Sequence, residues 1–553
     1  MTLPDSEVVD SVARDDLDRS TRAMTVVTAL SRGSGFLRIV VFGSVFGKTF
    51  LANTYQNANT IPNILFELFA LGALQAVLVP TMVRLVDVGD DDESHHVAGA
   101  VLGVLSLVLS VVVMVGIALG PQIMRLLVDD VADASTRRAE VALGATFLWF
   151  FMPQVLFYGM NVVATAVLNA HHRFALPVFA PFVNNVVVIA TYVWFDHLHG
   201  SRPLTLHLTT AETWVVAGGT TVGVVLFCAL PVVALVGVRF PLRPNLDWRH
   251  PALGSLLRDG AWAAVFLGLM QITQLVVLRV ANREAGGVTV WQWAFILFTL
   301  PHALFSVPIM TTRYPCLSRQ VHSDEWRELA GTASGAVRSI GFMGMLSAAV
   351  LVAAAVPATR LMAFGGAHAF ASEIASATAW FAPGIAGFGL LLFFTRVLYA
   401  FGDARTPALV NLAVVAVSSV VMLVVVPRYA PHHLISGLAA TFGGAQLIGG
   451  LVLGAIVASR LRARPEARMT VIPSLLRSTV AGVAGALLGA WIVSAVDSTS
   501  RAGSLSAAAA AALVASVAFV VVQWAAGGPA PRSAVLSMGA LVRGESSPRE
   551  DGA

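Results

Sequence analysis

Two arginines stand inside an apolar run. The stretch S-R-G-S-G-F-L-R (31–38) places Arg32 and Arg38 within a segment, about 24–46, that is otherwise apolar and long enough to cross a membrane. An arginine at the centre of a membrane helix costs about 2.5–3.5 kcal/mol on insertion scales, so it calls for a wet cavity or an anion. The planar guanidinium matches phosphate oxygens in pairs and keeps its charge at any physiological pH. Snorkelling is the competing reading. Arg32 lies about nine residues into the segment, roughly 13 Å by helical rise, and Arg38 about eight from its far end, both near the limit of that reach. Six residues apart on a regular helix, the two side chains point about 120° apart. Gly33 and Gly35 between them would permit a kink that turns both toward one ligand.

The next apolar segment, N-I-L-F-E-L-F-A-L-G, holds a lone carboxylate, Glu67. It either pairs with one of those arginines or takes up a proton. Pro62 disturbs that helix and leaves backbone carbonyls for Asn63 to satisfy. Arg396, Asp403 and Arg405 gather at the mouth of a later segment, where Gly402-Asp403 reads as turn chemistry and the three as a turn-fixing network or a gate. The histidines sit at segment edges and read as loop residues, so no metal site is expected. Cys228 and Cys316 are far apart in apolar contexts and suggest no disulfide. There is no G-x-x-x-x-G-K-[ST] and one lysine, Lys48, which excludes direct nucleotide hydrolysis. No nucleophile–base set stands out, so neither an enzyme nor a cofactor is expected.

These residues are carried by a chain that is 57% hydrophobic and 12% charged, with a mean hydropathy of +0.78. A soluble domain of that composition could not cover its own surface. About 14 stretches, from 24–46 through 54–83, 141–168 and 252–281 to 503–526, match the ~20 residues that a ~30 Å hydrocarbon core requires. The expected fold is all-α and polytopic. Of the 35 Lys+Arg, setting aside Arg32, Arg38 and Arg338 inside segments, 22 fall on the side of the N-terminus and 10 opposite. By the positive-inside rule both termini are cytoplasmic. The basic balance then reflects the membrane surface, and no basic–aromatic module for nucleic acid is present.

An ungapped offset of 230 pairs Pro153 with Pro383, Gly159 with Gly389, Thr165 with Thr395, Leu168 with Leu398, Ala170 with Ala400 and Pro177 with Pro407. An offset of 235 pairs Pro80–Arg84 with Pro315–Arg319. The repeat encloses six segments, an even number, so both copies share one orientation and should flank a substrate cavity. The expected organisation is a cytoplasmic tail (1–23) without a signal-peptide apolar region, two six-helix lobes (24–240 and 241–460), two extra helices (461–526), and a disordered tail (527–553).

At S-R-G-S-G-F-L-R (31–38), N-T-I-P-N-I-L-F-E-L-F-A-L-G-A-L (59–74), V-L-V-P (77–80), L-N-A-H-H-R-F-A-L-P-V-F-A-P (168–181) and F-G-D-A-R-T-P (401–407) the chain resembles the MurJ (MviN-type) lipid II flippase family. That family sits within the multidrug/oligosaccharidyl-lipid/polysaccharide exporter superfamily. The resemblance implies a central cationic cavity and a C-terminal helix pair that forms a groove for a polyprenyl tail. It also implies movement of undecaprenyl-pyrophosphate-linked peptidoglycan precursor from the inner to the outer leaflet of the bacterial cytoplasmic membrane. Partners would be that lipid, membrane lipids and proteins of wall synthesis or division. Arg32 and Arg38 match the family's first-helix arginines. Phe66 and Glu67 stand where the family has basic residues, Asn53 where an acidic one is common, and Ile296 at its helix-eight arginine. The alternatives are a drug or cation antiporter of the superfamily, a flippase for another polyprenyl-linked glycan, and a non-transporting wall-synthesis or division scaffold.

Overall fold

The structure is a computed structural model, which describes residues 27–68, 75–464, 466–495 and 500–527, without the side chains of 75–77 and 251–264. The expected N-terminal tail, 1–23, and all of the C-terminal one, 527–553, except Gly527 lie outside the described residues. Within them the chain is helical and contains no strand. In one half of the chain the helices are α1 (Val27–Phe46), α2 (Phe50–Phe66), α3 (Gln75–Val88), α4 (Asp91–Ala118) and α5 (Gly120–Val128). They continue as α6 (Ala134–Phe151), α7 (Gln154–Ala170), α8 (Ala175–His199) and α9 (Thr210–Val238). Then come α10 (Pro251–Ala281), α11 (Gly287–His322), α12 (Trp326–Met362), α13 (Ala371–Ala400) and α14 (Arg405–Arg428). The last three are α15 (Leu434–Arg462), α16 (Ile472–Ala495) and α17 (Arg501–Ala525).

Among the described residues 12 helices are long and apolar enough to cross a membrane, against the 14 expected. The difference lies in two segments. Both reach beyond what is described: residues 69–74 of segment 54–83 lie outside the described residues, and in α10 the side chains are described only from Val265. The polypeptide divides into two compact units, Met1–Gly268 and Leu269–Ala553. The division falls inside α10.

Caps define several starts. Thr49 accepts from the Ala52 N–H at 3.2 Å ahead of α2, Asp90 from Glu93 at 3.1 Å ahead of α4, and Asp133 from Thr136 at 2.7 Å ahead of α6. Among the described residues three helices contain a complete π turn: Trp214–Gly218 in α9, His302–Ser306 in α11 and Val421–Val425 in α14.

The first unit is built round α2, in which every residue from Leu51 to Ala58 is buried, polar ones included. Phe42, Phe46, Tyr55, Tyr192 and Phe195 stack beside it, Phe46 on Phe195 at 5.1 Å. In the second unit α13 is packed between α12 and α15. A Cβ on Gly384 would stand 2.4 Å from the Gly443 Cα, so α13 and α15 meet backbone to backbone. Helices α16 and α17 pack on each other and on α12 through small residues, Gly485 against the Ala515 carbonyl and Gly489 against Ala511 and Ala353.

The internal repeat is visible in backbone detail. Helices α7 and α13 end at Ala170 and Ala400, and α8 and α14 begin at Ala175 and Arg405, both pairs at the offset of 230. His172 (φ 55°) and Gly402 (φ 75°) take the left-handed conformation at that same offset. Gly89 (φ 76°) and Asp324 (φ 56°) do so at the offset of 235 that also separates the starts of α4 and α12, Asp91 and Trp326. Left-handed backbone is uncommon outside glycine, so its recurrence at matched positions marks the same turn made twice.

Candidate functional site

Helix α1 is unbroken through Gly33 and Gly35. Gly35 faces a packing partner, whereas a Cβ on Gly33 would meet nothing within 4 Å. Asn185 of α8, 6% exposed, donates from Nδ2 to the Ser31 carbonyl at 3.3 Å and to Ser34 Oγ at 3.0 Å, and a Cβ on Gly35 would stand 3.4 Å from that nitrogen. A regular helix keeps Arg32 and Arg38 about 9 Å apart along its axis. Arg32 is exposed and Arg38 half-buried. Neither guanidinium takes part in a hydrogen bond or ion pair among the described residues. Arg38 lies near enough to Tyr55, Tyr158 and Tyr192 for its charge to be felt there. Two fixed cations with unspent donors, on one membrane helix, offer an anion five N–H groups each.

Asn63 is used at both ends. Its Nδ2 donates to the Asn59 carbonyl at 2.9 Å, one turn back beside Pro62, and its Oδ1 accepts from the Tyr158 hydroxyl at 2.9 Å. Tyr158 in turn stacks on Phe66 at 4.4 Å. Glu67 is exposed on the turn that continues α2 and is engaged.

In the second unit Asp403 accepts from the Thr406 N–H at 2.9 Å, from the Thr406 hydroxyl at 2.6 Å and from Arg460. Burial pushes its carboxyl up, but the Thr406 hydroxyl and N–H and the Arg460 guanidinium outweigh that and hold it at about 2. The turn-fixing network is therefore Asp403, Thr406 and Arg460. Arg396 is half-buried and Arg405 exposed, and neither joins it by a hydrogen bond or ion pair.

One acidic residue escaped the sequence reading. Glu140 of α6 is 0% exposed, with the Thr54 hydroxyl at 3.0 Å. The apolar run read from the sequence begins one residue later, so Glu140 counted as loop. The helix starts at Ala134, and the signal for it was the cap D-A-S-T, in which Asp133 also accepts from the Ser135 hydroxyl at 2.5 Å. Among the described residues no group of three or more His, Cys, Asp or Glu could hold a metal ion.

A family profile described as "Lipid II flippase MurJ" matches residues 42–508. A lipid II flippase MurJ of Burkholderia cenocepacia is 27% identical over 443 residues, covering 79% of this chain and 83% of its own. A probable lipid II flippase MurJ of Rhizobium meliloti is 25% identical over 473 residues, 84% of each chain. Among solved structures, a lipid II flippase MurJ in an inward closed conformation superposes with a TM-score of 0.72 at 18% identity, over 90% of this chain and 98% of that one. An inward-facing multidrug resistance MATE family transporter of the MOP superfamily follows at 0.62 and 15% identity, over 79% and 94%. The last two likenesses concern the fold.

Proposed function

The chain belongs to the lipid II flippase MurJ family, and from that premise we propose how its own residues serve the transport. It is a multi-pass protein of the bacterial inner membrane that moves lipid II, the polyprenyl-linked peptidoglycan precursor, from the inner to the outer leaflet for wall synthesis. The family is one of transporters, and moving the lipid from leaflet to leaflet requires no covalent step.

A pyrophosphate headgroup entering a bilayer must exchange its hydration for fixed cations, while its long apolar tail stays in lipid. Arg32 and Arg38 supply those cations. The observation that carries this reading is that both guanidinium groups lie on a membrane helix with all their donors unspent. Their axial separation suits successive occupation, Arg32 and then Arg38, as the headgroup advances along α1. Asn63, clamped by Tyr158, stabilises the Pro62 bend of α2 beside the path. Glu67 stands where the family carries positive charge, and it lowers the net attraction so that the load can leave. Arg396 and Arg405, each unpaired among the described residues, form with Asp403 a gate at the cytoplasmic end of the second unit. Both termini lie in the cytoplasm, in keeping with the arginine bias. The membrane potential, worth ~2.3 kcal/mol per charge per 100 mV, acts on the anionic load and resets the cycle.

Complementation of a strain depleted of its own lipid II flippase tests the site. Arg32→Ala and Arg38→Ala should each abolish growth at normal protein levels, and the lysine variants should rescue poorly if the guanidinium fork matters. Growth supported by either alanine variant removes that arginine from the site. Equal rescue by lysine reduces its role to simple charge.

A further inference from the structure

Glu140 is an acid with too few hydrogens around it to be ionised. The Thr54 hydroxyl oxygen lies 2.8 Å from the Phe50 carbonyl and 3.0 Å from Glu140 Oε1, yet a hydroxyl has a single hydrogen. Glu140 Oε2 is buried with no partner among the described residues, and Thr54 is the one group in contact with the carboxyl by hydrogen bond. Two arrangements are available. In the ionised one the Thr54 hydrogen goes to Oε1, and a full negative charge is buried with one neutral donor and one bare oxygen. In the neutral one a proton on Oε1 is donated to Thr54 Oγ1, and the Thr54 hydrogen passes on to the Phe50 carbonyl. Every hydrogen is then placed, and the bare atom is a carbonyl oxygen instead of half a carboxylate. Burial of an uncompensated charge is far more costly than burial of an uncharged acceptor, so the second arrangement prevails.

No cation is bonded to the Glu140 carboxyl among the described residues; Arg38 is felt at the hydroxyls of Tyr55, Tyr158 and Tyr192, and Lys48 stands ahead of α2. Of the elements against α6, α2 contributes Tyr55, whose hydroxyl is held at 2.7 Å by Thr220 and at 3.0 Å by Tyr192, and α7 contributes Tyr158, held by Asn63. Helix α5 contributes Arg125, which is exposed, and the π turn Trp214–Gly218 contributes no titratable group. The titratable groups of α4 all lie in its first six residues, Asp91–His96, 20 or more residues before the Gly116–Gly120 stretch that meets Met152 and the Ala145–Leu148 turn of α6. On α6 itself Arg137 donates to the Val131 carbonyl at 3.0 Å, and Arg138 is exposed.

We propose that Glu140 is a proton-binding site, loaded in this conformation, whose discharge loosens the seam between α2 and α6 and makes the first unit responsive to pH. Loss of the proton leaves a carboxylate facing the buried first half of α2. The charge is relieved only if the helices part enough for water to enter. The site lies apart from Arg32 and Arg38 and does not depend on their role.

Infrared difference spectra of the purified full-length protein, wild type against Glu140→Gln, test the loading without any transport. At neutral pH the wild type should show the carbonyl band of a protonated carboxylic acid that the glutamine variant lacks. As the pH is raised past its pKa, that band should fall about tenfold per pH unit. Thr54→Val, which removes the acceptor, should move the band toward that of a free acid and provides a readout if Glu140→Gln fails to fold. Carboxylate bands in place of the acid band at neutral pH overturn the proposal. In proteoliposomes, flipping of labelled lipid II by the wild type should vary with pH, and Glu140→Gln should flatten the profile. A variant that keeps the wild-type profile overturns the coupling to α2, whatever the outcome of the arginine tests.

Discussion

Asn185 ties α1 to α8 by spending its one amide nitrogen on two acceptors, the Ser31 carbonyl and Ser34 Oγ, the latter on a residue 9% exposed. Asn185→Leu should therefore cost about 1–3 kcal/mol, the penalty for leaving buried polar atoms unmatched. It should show as a lower Tm in detergent, with lipid II flipping reduced because Arg32 and Arg38 ride on the released helix. Asp403 gives a pH prediction with a definite sign. Its carboxyl is held at about 2 against an ordinary value of 3.8, so it contributes stability above pH 3.8 that is lost as pH falls toward 2. Asp403→Asn should lower Tm at neutral pH, and the difference from wild type should vanish below about pH 2. The turn role of Asp403 was legible in the sequence because an aspartate after glycine at a turn has few cheap explanations. Arg460 as the partner of Asp403 was not legible, since 57 residues separate them and spacing along one helix says nothing of contacts between helices. Glu140 was lost to a boundary: apolar content marks where a helix meets lipid, whereas the cap marks where it starts.

At the scale of elements, α13 and α15 approach so closely that glycine is a steric requirement at Gly384 and not at Gly444, whose Cβ would meet nothing within 4 Å. Gly384→Ala should destabilise by about 1–3 kcal/mol through backbone displacement. Gly444→Ala should be neutral or slightly stabilising, because alanine is the better helix former. Thermal melts of the two variants separate packing from propensity, and equal shifts would refute the close approach. The ends of α7, α8, α13 and α14 were readable from the repeat because prolines and turn residues recur with it. At Gly33 and Gly35 the sequence allowed a break that α1 does not make. Glycine permits a break, but the helix is continuous there and Asn185 bonds it to α8 at Ser31 and Ser34.

For the whole molecule, the pair α16–α17 has no counterpart in the first half of the chain. Its outward residues, among them Leu487, Trp491, Leu513 and Trp524, are exposed and apolar, which suits a surface that meets lipid. Deletion of 470–526 should abolish flipping of a long-tailed substrate while sparing a short-tailed one, if the pair guides the polyprenyl chain. Equal loss of both assigns it to scaffolding. The three π turns have a consequence for how such a transporter moves. Each holds one residue more than a plain helical turn, a unit of slack stored in α9, α11 and α14 and therefore in both halves of the chain. Passing that residue along the helix advances whatever follows by about 1.5 Å and rotates it by about 100°, enough to exchange one face for another without unfolding. Excision of a single residue from Val421–Val425 should leave a folded protein whose α14 is locked in one register. A rotating face is a gear, and these helices carry the missing tooth already cut.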